Sequence, residues 1–288
     1  MASLKEIKIR IGSVKSTRKI TAAMKMIASS KLHKAQTAIH SFLPYQKKLD
    51  AILTNLLAAD LNYSSPFVLP REVKRVGLVL FSSNATLCGA YNATVIKEFK
   101  QVYNSYLHLG AENIAVFPVG KKVEDYLLKQ QIPVQGTFQD IAASPAFAAV
   151  QTLANRLIET FVTGQLDEIV LLFHHFKSVG TQIITRQRFL PFDLTSAQSA
   201  GAVASDYIFD PSKEEILQNL IPTVLNARLF ASALDATASE HAARTMAMQT
   251  ATDNADDLIQ ELTVQFNKTR QQVVTNELLD IIGGASAL

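Results

Sequence analysis

The stretch from Ala227 to Leu288 contains no proline, and no glycine before Gly283. It reads as one uninterrupted helix, because the two residues that most disfavour helix interiors are missing from it. Such a helix is far longer than a globular core needs. Within it Ala238, His241, Thr245, Met248, Thr252, Ala255, Ile259, Leu262, Phe266, Thr269 and Val273 recur at alternating spacings of three and four, the seam of a coiled coil in which many positions are small or polar. A seam requires a partner. The first stretch of the chain offers one: Leu4, Ile7, Ile11, Val14, then Ala28, Leu32, Ala35, Ile39 and Phe42 keep heptad spacing, interrupted by Arg18, Thr21 and Lys25. The two ends are expected to wind on each other, antiparallel if the middle of the chain folds as a compact unit at one end.

The middle changes rhythm. The N-terminal helix is expected from Leu4 toward Ala59, with Pro44 either kinking it or dividing it in two. Asn62 to Pro70 reads as a loop. Short apolar runs at Val76–Phe81, Ile114–Val119 and Glu168–Phe173, and an alternating one at Thr181–Phe189, read as strands, the last at a sheet edge. Helices are expected over 90–107, 121–130 and 145–162, the third capped by Ser144 with Pro145 in its first turn. Strands alternating with helices imply a mostly parallel sheet. The fold class is therefore α/β plus long helices: an antiparallel coiled coil of the terminal helices with a central Rossmann-like α/β domain. The expected division is a helix over 1–60, the α/β domain over 71–193 and a second helix over 210–288. Leu194 to Val203 is a linker of small residues, Lys213 begins a helix that Pro222 bends, and Gly283-Gly284 is the expected helix end.

Helix lengths carry a consequence. If the two long helices run antiparallel from one domain, the C-terminal one outruns the other by roughly fifteen residues, about 20 Å at 1.5 Å rise per residue. That tip carries Val273, Val274, Leu278, Leu279, Ile281 and Ile282, too apolar to stand in water. Its partner is expected to be another protein.

Composition and charge narrow the classes. The chain has 288 residues, 48% apolar and 18% charged, the profile of a folded protein. No window approaches the uninterrupted apolar length of a bilayer span. One cysteine, Cys88, leaves no intramolecular disulfide and no Cys-based zinc site. The net charge of +3 hides an asymmetry: Met1 to Lys34 carries nine basic residues against Glu6, and Asp235 to Glu261 carries six acids against Arg244. Three readings compete for the basic end. A transit peptide is disfavoured by a heptad that continues past any cleavage point, and a nucleic-acid arm lacks aromatics for stacking. A solvated or partner-facing helix face is the default.

A Rossmann-like domain invites a search for a phosphate loop. After the first strand the chain reads Ser82-Ser-Asn-Ala-Thr-Leu-Cys-Gly-Ala-Tyr-Asn92, with one glycine, and after the second Gly120-Lys121-Lys122, without the first glycine and the Ser/Thr of a P-loop. Neither cradles a phosphate. Gly120 reads as a strand-to-helix turn and Cys88 as a buried, inert thiol. His174 and His175 point to opposite faces of a strand, the wrong geometry for two ligands of one metal, and read as a surface or partly buried pair. Glu240, His241 and Arg244 read as a solvated ion-pair face.

Four segments resemble a known family. Lys5-Glu-Ile-Lys-Ile-Arg-Ile-Gly-Ser-Val-Lys-Ser-Thr-Arg-Lys-Ile-Thr-Ala-Ala-Met-Lys-Met-Ile-Ala-Ser-Ser-Lys-Leu32 resembles the N-terminal helix of the γ subunits of F-type ATP synthases. Ala238 to Asn254, and Phe266 to Ala285 with its Asn-Glu-Leu-Leu-Asp-Ile-Ile-Gly-Gly, are similar to the C-terminal helix of that family. Leu87-Cys-Gly-Ala-Tyr-Asn92 fits it too, while Ser83-Asn-Ala-Thr86 departs from the usual Ser-Asp-Arg/Lys-Gly.

The resemblance implies a rotor shaft, non-catalytic and without a cofactor, inside a ring of three α and three β subunits, with its globular foot on a membrane-embedded c-ring. By resemblance Met24, Lys25, Arg244, Arg270 and Gln271, with Ile281 and Ile282 at the tip, meet the α/β ring, and Tyr207 and Asp210 lie near the c-ring and the ε subunit. It further implies one copy per complex, on the cytoplasmic face of a bacterial inner membrane, coupling proton flow to ATP synthesis, with no nucleic acid as partner. The polar interruption of the seam would suit a shaft that slips past successive partners. Two other classes stay open on the residues alone: a nucleic-acid-binding coiled coil using its basic helix, and an enzyme with a pocket at the strand ends.

Overall fold

The computed structural model describes residues 3–58, 67, 71–192 and 212–286. The expected loop at 62–70, apart from Phe67, and the linker at 194–203 lie outside them. The elements are α1 (Leu4–Ala58), β1 (Val76–Phe81), α2 (Tyr91–Tyr106), β2 (Ile114–Val119), α3 (Lys121–Lys129), α4 (Gln139–Ala143), α5 (Phe147–Val162), β3 (Glu168–Ser178), β4 (Thr181–Leu190) and α6 (Lys213–Ser286). They form two compact units, one of Met1–Ala28 with Arg244–Leu288 and one of Ser29–Ala243. Pro44 lies inside α1 and Pro222 inside α6, and neither divides its helix.

In the first unit only α1 and α6 take part. Their buried seam is Ile7 and Ala28 on one helix and Met248, Ala255 and Leu262 on the other, flanked by half-buried Ile11, Val14, Thr245, Ile259 and Phe266. These are the heptad positions of the sequence. Where the apolar pattern breaks, the helices meet through polar groups: Arg18 pairs with Asp256, and the hydroxyls of Thr21 and Thr252 lie 2.8 Å apart. Partner numbers fall on α6 as they rise on α1, so the helices are antiparallel here. The polar interruption is thus occupied, in part, by the two helices themselves.

In the second unit a four-stranded sheet has the order β2-β1-β3-β4, with β2, β1 and β3 parallel and β4 antiparallel to β3 at the edge. Alternate side chains divide between two cores, as a sheet covered on both faces requires. Val79, Phe81, Phe117, Ile169 and Leu171 pack with α5, with Leu53, Leu56 and Leu57 of α1, and with Leu217, Ile221, Leu225 and Leu229 of α6. Leu78, Leu80, Val116, Val170 and Leu172 pack with Val95, Phe99 and Val102 of α2 and with Val123 and Leu127 of α3. A smaller cluster joins Leu32 and Ala35 to Ala238 and Ala242. Asp50 accepts from Arg228 Nε at 2.8 Å, and Phe42 meets Phe230 edge-on, so α1 and α6 are antiparallel in this unit as well.

Three expectations need correction. Helix α5 begins at Phe147, with Ala146 rather than Ser144 as its N-cap. Ser144 instead ends the short helix α4, which the sequence reading missed. The proline after it disfavours the α region, and Ser144 is extended at φ −160° and ψ 104°. Strand β3 runs on to Ser178 rather than ending at Phe173, because it continues as a hairpin with β4 after β1 has ended. Gly283 and Gly284 do not end α6, which continues to Ser286, and Gly283 lacks the positive φ of a left-handed cap.

Candidate functional site

The tip of α6 is the exposed feature that the seam predicts. From Arg270 to Gly283 every residue is exposed, whereas Thr269, Phe266 and Leu262 before them are at least half-buried against the seam. The change comes where α1 runs out, since the antiparallel register that joins Arg18 to Asp256 sets Leu4 opposite the turn at Thr269 and Arg270. Leu279, Ile281 and Ile282 are 60%, 67% and 63% exposed, and Val274 and Leu278 add to the same apolar surface. A surface of this kind marks an interaction site. Arg270 and Gln271 are exposed at its base, while Met24, Lys25 and Arg244 are half-buried along the shaft. All seven belong to the first unit. Tyr207 and Asp210 lie outside the described residues.

The strand ends present a different picture from a nucleotide site. A phosphate in this kind of fold sits on the free amides at a helix N-terminus. At α3 those amides are taken by the loop after β1. Asn84 Oδ1 accepts Lys121 N–H at 3.0 Å, the Ser83 carbonyl accepts Lys122 N–H at 3.1 Å, and Ser82 Oγ accepts Val123 N–H at 3.1 Å. The close approach depends on Gly120, whose φ is +107° and where a Cβ would lie 2.2 Å from the Ser82 carbonyl oxygen. The segment Ser83–Thr86 that departs from the family pattern therefore has a structural task through Ser83 and Asn84. A cavity at the carboxyl end of β1, lined by Phe81, Ser82, Tyr91 and Ile141 among others, holds about 10 Å³, room for no more than a water.

Cys88 is buried, as expected, and Asn92 Nδ2 donates to its sulfur at 3.2 Å. His174 and His175 do face opposite ways, but His174 is more than partly buried. It is 3% exposed, stacked on the Tyr91 ring at 4.4 Å between centroids, with Nε2 2.8 Å from Thr94 Oγ1 and Nδ1 without a hydrogen-bond partner. Burial lowers its pKa to about 4, so the ring is neutral. His175 is exposed, its Nδ1 2.6 Å from Asp235 Oδ2. The reading of Glu240 and His241 as a solvated face fails, since both are buried and only Arg244 beyond them is half-exposed. Beside them Ala238 and Ala242 pack on Leu32 and Ala35 of α1, and Ala243 packs with Cys88 and Tyr91.

Asp235, Ser239 and Tyr91 were not singled out from sequence as interacting groups. Their bonds to backbone atoms of distant elements leave no spacing signal. Among the described residues no helix is long and apolar enough to cross a membrane, and no cluster of His, Cys, Asp and Glu has the makings of a metal site.

Comparison with known proteins places the chain. A family described as ATP synthase matches residues 3–288. The ATP synthase gamma chain of Bacteroides fragilis is 56% identical over 290 residues, covering 100% of both chains. That of Flavobacterium johnsoniae is 45% identical, covering 100% of this chain and 99% of its own. Among solved structures, a chain of the Euglena gracilis mitochondrial ATP synthase (OSCP/F1/c-ring) matches with a TM-score of 0.68 at 18% identity over 99% of this chain and 94% of its own. A chain of the Tetrahymena thermophila central stalk and c-ring matches at 0.59 and 21% identity, over 81% and 99%. These two show the shared fold of long paired helices around a mixed sheet. A full-length match at such identity decides the family: this chain belongs to the ATP synthase gamma chains.

Proposed function

We propose that the chain is the central rotor shaft of an F1Fo ATP synthase, turning inside an α3β3 ring whose β subunits hold the catalytic sites, while its foot rests on the c-ring and the ε subunit. The observation that carries this reading is the helical tip that outruns its partner and exposes Leu279, Ile281 and Ile282. Burial of that apolar surface in a sleeve would stabilise assembly, at about 25 cal/mol per Å² removed from water. Segments 1–60 and 210–288 act as the shaft and 71–193 as the foot. Met24, Lys25, Arg244, Arg270, Gln271, Ile281 and Ile282 face the ring, and Tyr207 and Asp210 face the c-ring and ε. One copy serves each complex, held peripherally on the cytoplasmic face of a bacterial inner membrane and coupled to protons. The basic first helix, with Lys and Arg exposed along it, serves protein contacts rather than nucleic acid.

Purification from the native source tests the reading. The chain should travel in a large ATPase that detaches from membranes, and its deletion should abolish proton-coupled ATP synthesis. Recovery of the chain as a free protein, or bound to DNA with a steep salt dependence, would refute it.

A further inference from the structure

Three consecutive residues of β3 are tied to α6 where the parallel sheet ends. β1 pairs with β3 only as far as Leu80 with Leu172, whereas β3 continues to Ser178, so past Leu172 its edge toward β1 lacks a strand neighbour. Backbone groups on such an edge must find other partners if they are covered. Helix α6 supplies them. Asp235 Oδ1 accepts Phe176 N–H at 2.8 Å, and Ser239 Oγ, fully buried, donates to the His174 carbonyl at 2.9 Å. Residues 174 and 176 direct these groups to one edge because backbone orientation alternates along a strand. The second oxygen of Asp235 takes His175 Nδ1 at 2.6 Å, and the Tyr91 hydroxyl of α2 donates to the Ala236 carbonyl at 3.0 Å.

Around these bonds the buried apolar surface of α6 is mostly alanine, with Ala233, Ala236, Ala238, Ala242 and Ala243 beside the single larger Leu234, and Glu240 and His241 are buried with them. Methyl groups resist being pulled away from a neighbour, yet they offer little to stop a helix turning about its own axis, since hydrophobic burial is non-directional. Hydrogen bonds are directional and weaken steeply when misaligned. In this alanine-rich stretch of the helix, resistance to twist therefore draws more on polar bonds than it does where Leu217, Ile221, Leu225 and Leu229 interlock with the core.

We propose that Asp235 and Ser239 are positioning residues that lock α6 against rotation relative to the sheet, and so carry torque between foot and shaft; this rests on the rotor reading above. The test uses the assembled, membrane-reconstituted complex. In the double variant Asp235→Leu/Ser239→Ala the ratio of ATP-driven proton pumping to ATP hydrolysis should fall severalfold, while the detached F1 sector, which turns without load, hydrolyses ATP at the wild-type rate. Asp235→Asn keeps an oxygen for Phe176 N–H and should retain most of the pumping.

A lowered melting temperature with an unchanged pumping ratio would mean a merely structural role and would overturn the proposal. Should the double variant fail to assemble, Ser239→Ala alone is measured for torsional stiffness between foot and shaft in single molecules. Reduced stiffness supports the proposal and wild-type stiffness overturns it. If the wild-type chain joins no ATPase, both the rotor reading and this inference fall; if it joins one and the variants pump normally, only this inference does.

Discussion

Protonating His174 should loosen the α/β unit in acid, by an amount that the structure sets. Its folded pKa is about 4, against an ordinary value of 6.5, because burial disfavours the charged ring. Nothing nearby repays that cost: one nitrogen meets Thr94 Oγ1, the other has no hydrogen-bond partner, and the ring lies against Tyr91. The unfolded chain therefore binds more protons than the folded one between the two pKa values, and stability rises with pH across that window. The contribution of the neutral ring is complete above pH 6.5 and is lost as pH falls toward 4. At about 1.4 kcal/mol per pH unit the loss approaches ~3 kcal/mol at the acid end. Urea unfolding of the isolated chain at intervals from pH 4 to pH 7.5 measures the slope, and His174→Phe, which keeps a ring to stack on Tyr91, removes this titration. The variant should be less sensitive to acid than the wild type, whatever its stability at neutral pH. Parallel pH profiles for the two proteins would refute the argument, because the other titrating groups are common to both.

Three other outcomes follow from the same structure. Changing Ile281 and Ile282 together to Asp should leave the melting of the isolated chain within about 0.5 kcal/mol, since both are exposed, but should weaken assembly with the α3β3 ring; strong hydrogen-exchange protection of residues 275–282 in the free chain would show an intramolecular partner and contradict this. Gly120→Ala should destabilise the α/β unit by several kcal/mol, from roughly 1–3 for the positive φ and roughly 1–3 for overpacking against Ser82, as thermal melting would report. Calorimetry of the isolated chain with Mg-ATP should detect no saturable micromolar binding, because the amides at the start of α3 are already bonded to Ser82, Ser83 and Asn84.

Periodicity revealed the parts of the molecule that repeat, and context hid the parts that do not. The seam from Thr245 to Thr269 and its counterpart from Leu4 to Phe42 were readable because heptad spacing is a property of one helix alone. The four strands were readable from their apolar runs, but the end of β3 was not, because pairing with β4 sustains the strand after β1 has ended. Ser144 misled for a related reason: a Ser-Pro pair can open a helix or close one, and the choice lay with the short α4 before it. The exposed tip was legible as an excess of helix length over its partner. Glu240 and His241 were misread as solvated, since a polar pair on a long helix looks the same whether water or a neighbouring surface covers it.

The interrupted seam shows how an apparent defect in a pattern becomes a positional signal. Apolar layers such as Ile7, which this register sets opposite the turn at Phe266, favour association but tolerate a slip of one heptad more readily, because one apolar side chain resembles the next. Arg18 with Asp256, and Thr21 with Thr252, favour one register, since a displaced helix would lose a half-exposed ion pair and a part-buried hydroxyl pair. The small, polar residues that weaken the seam therefore specify which turn of α1 meets which turn of α6. That register in turn decides how much of α6 is left beyond Leu4. A one-heptad slip would change the protruding length by about 10 Å at 1.5 Å per residue, enough to move Ile281 and Ile282 out of any sleeve shaped to receive them.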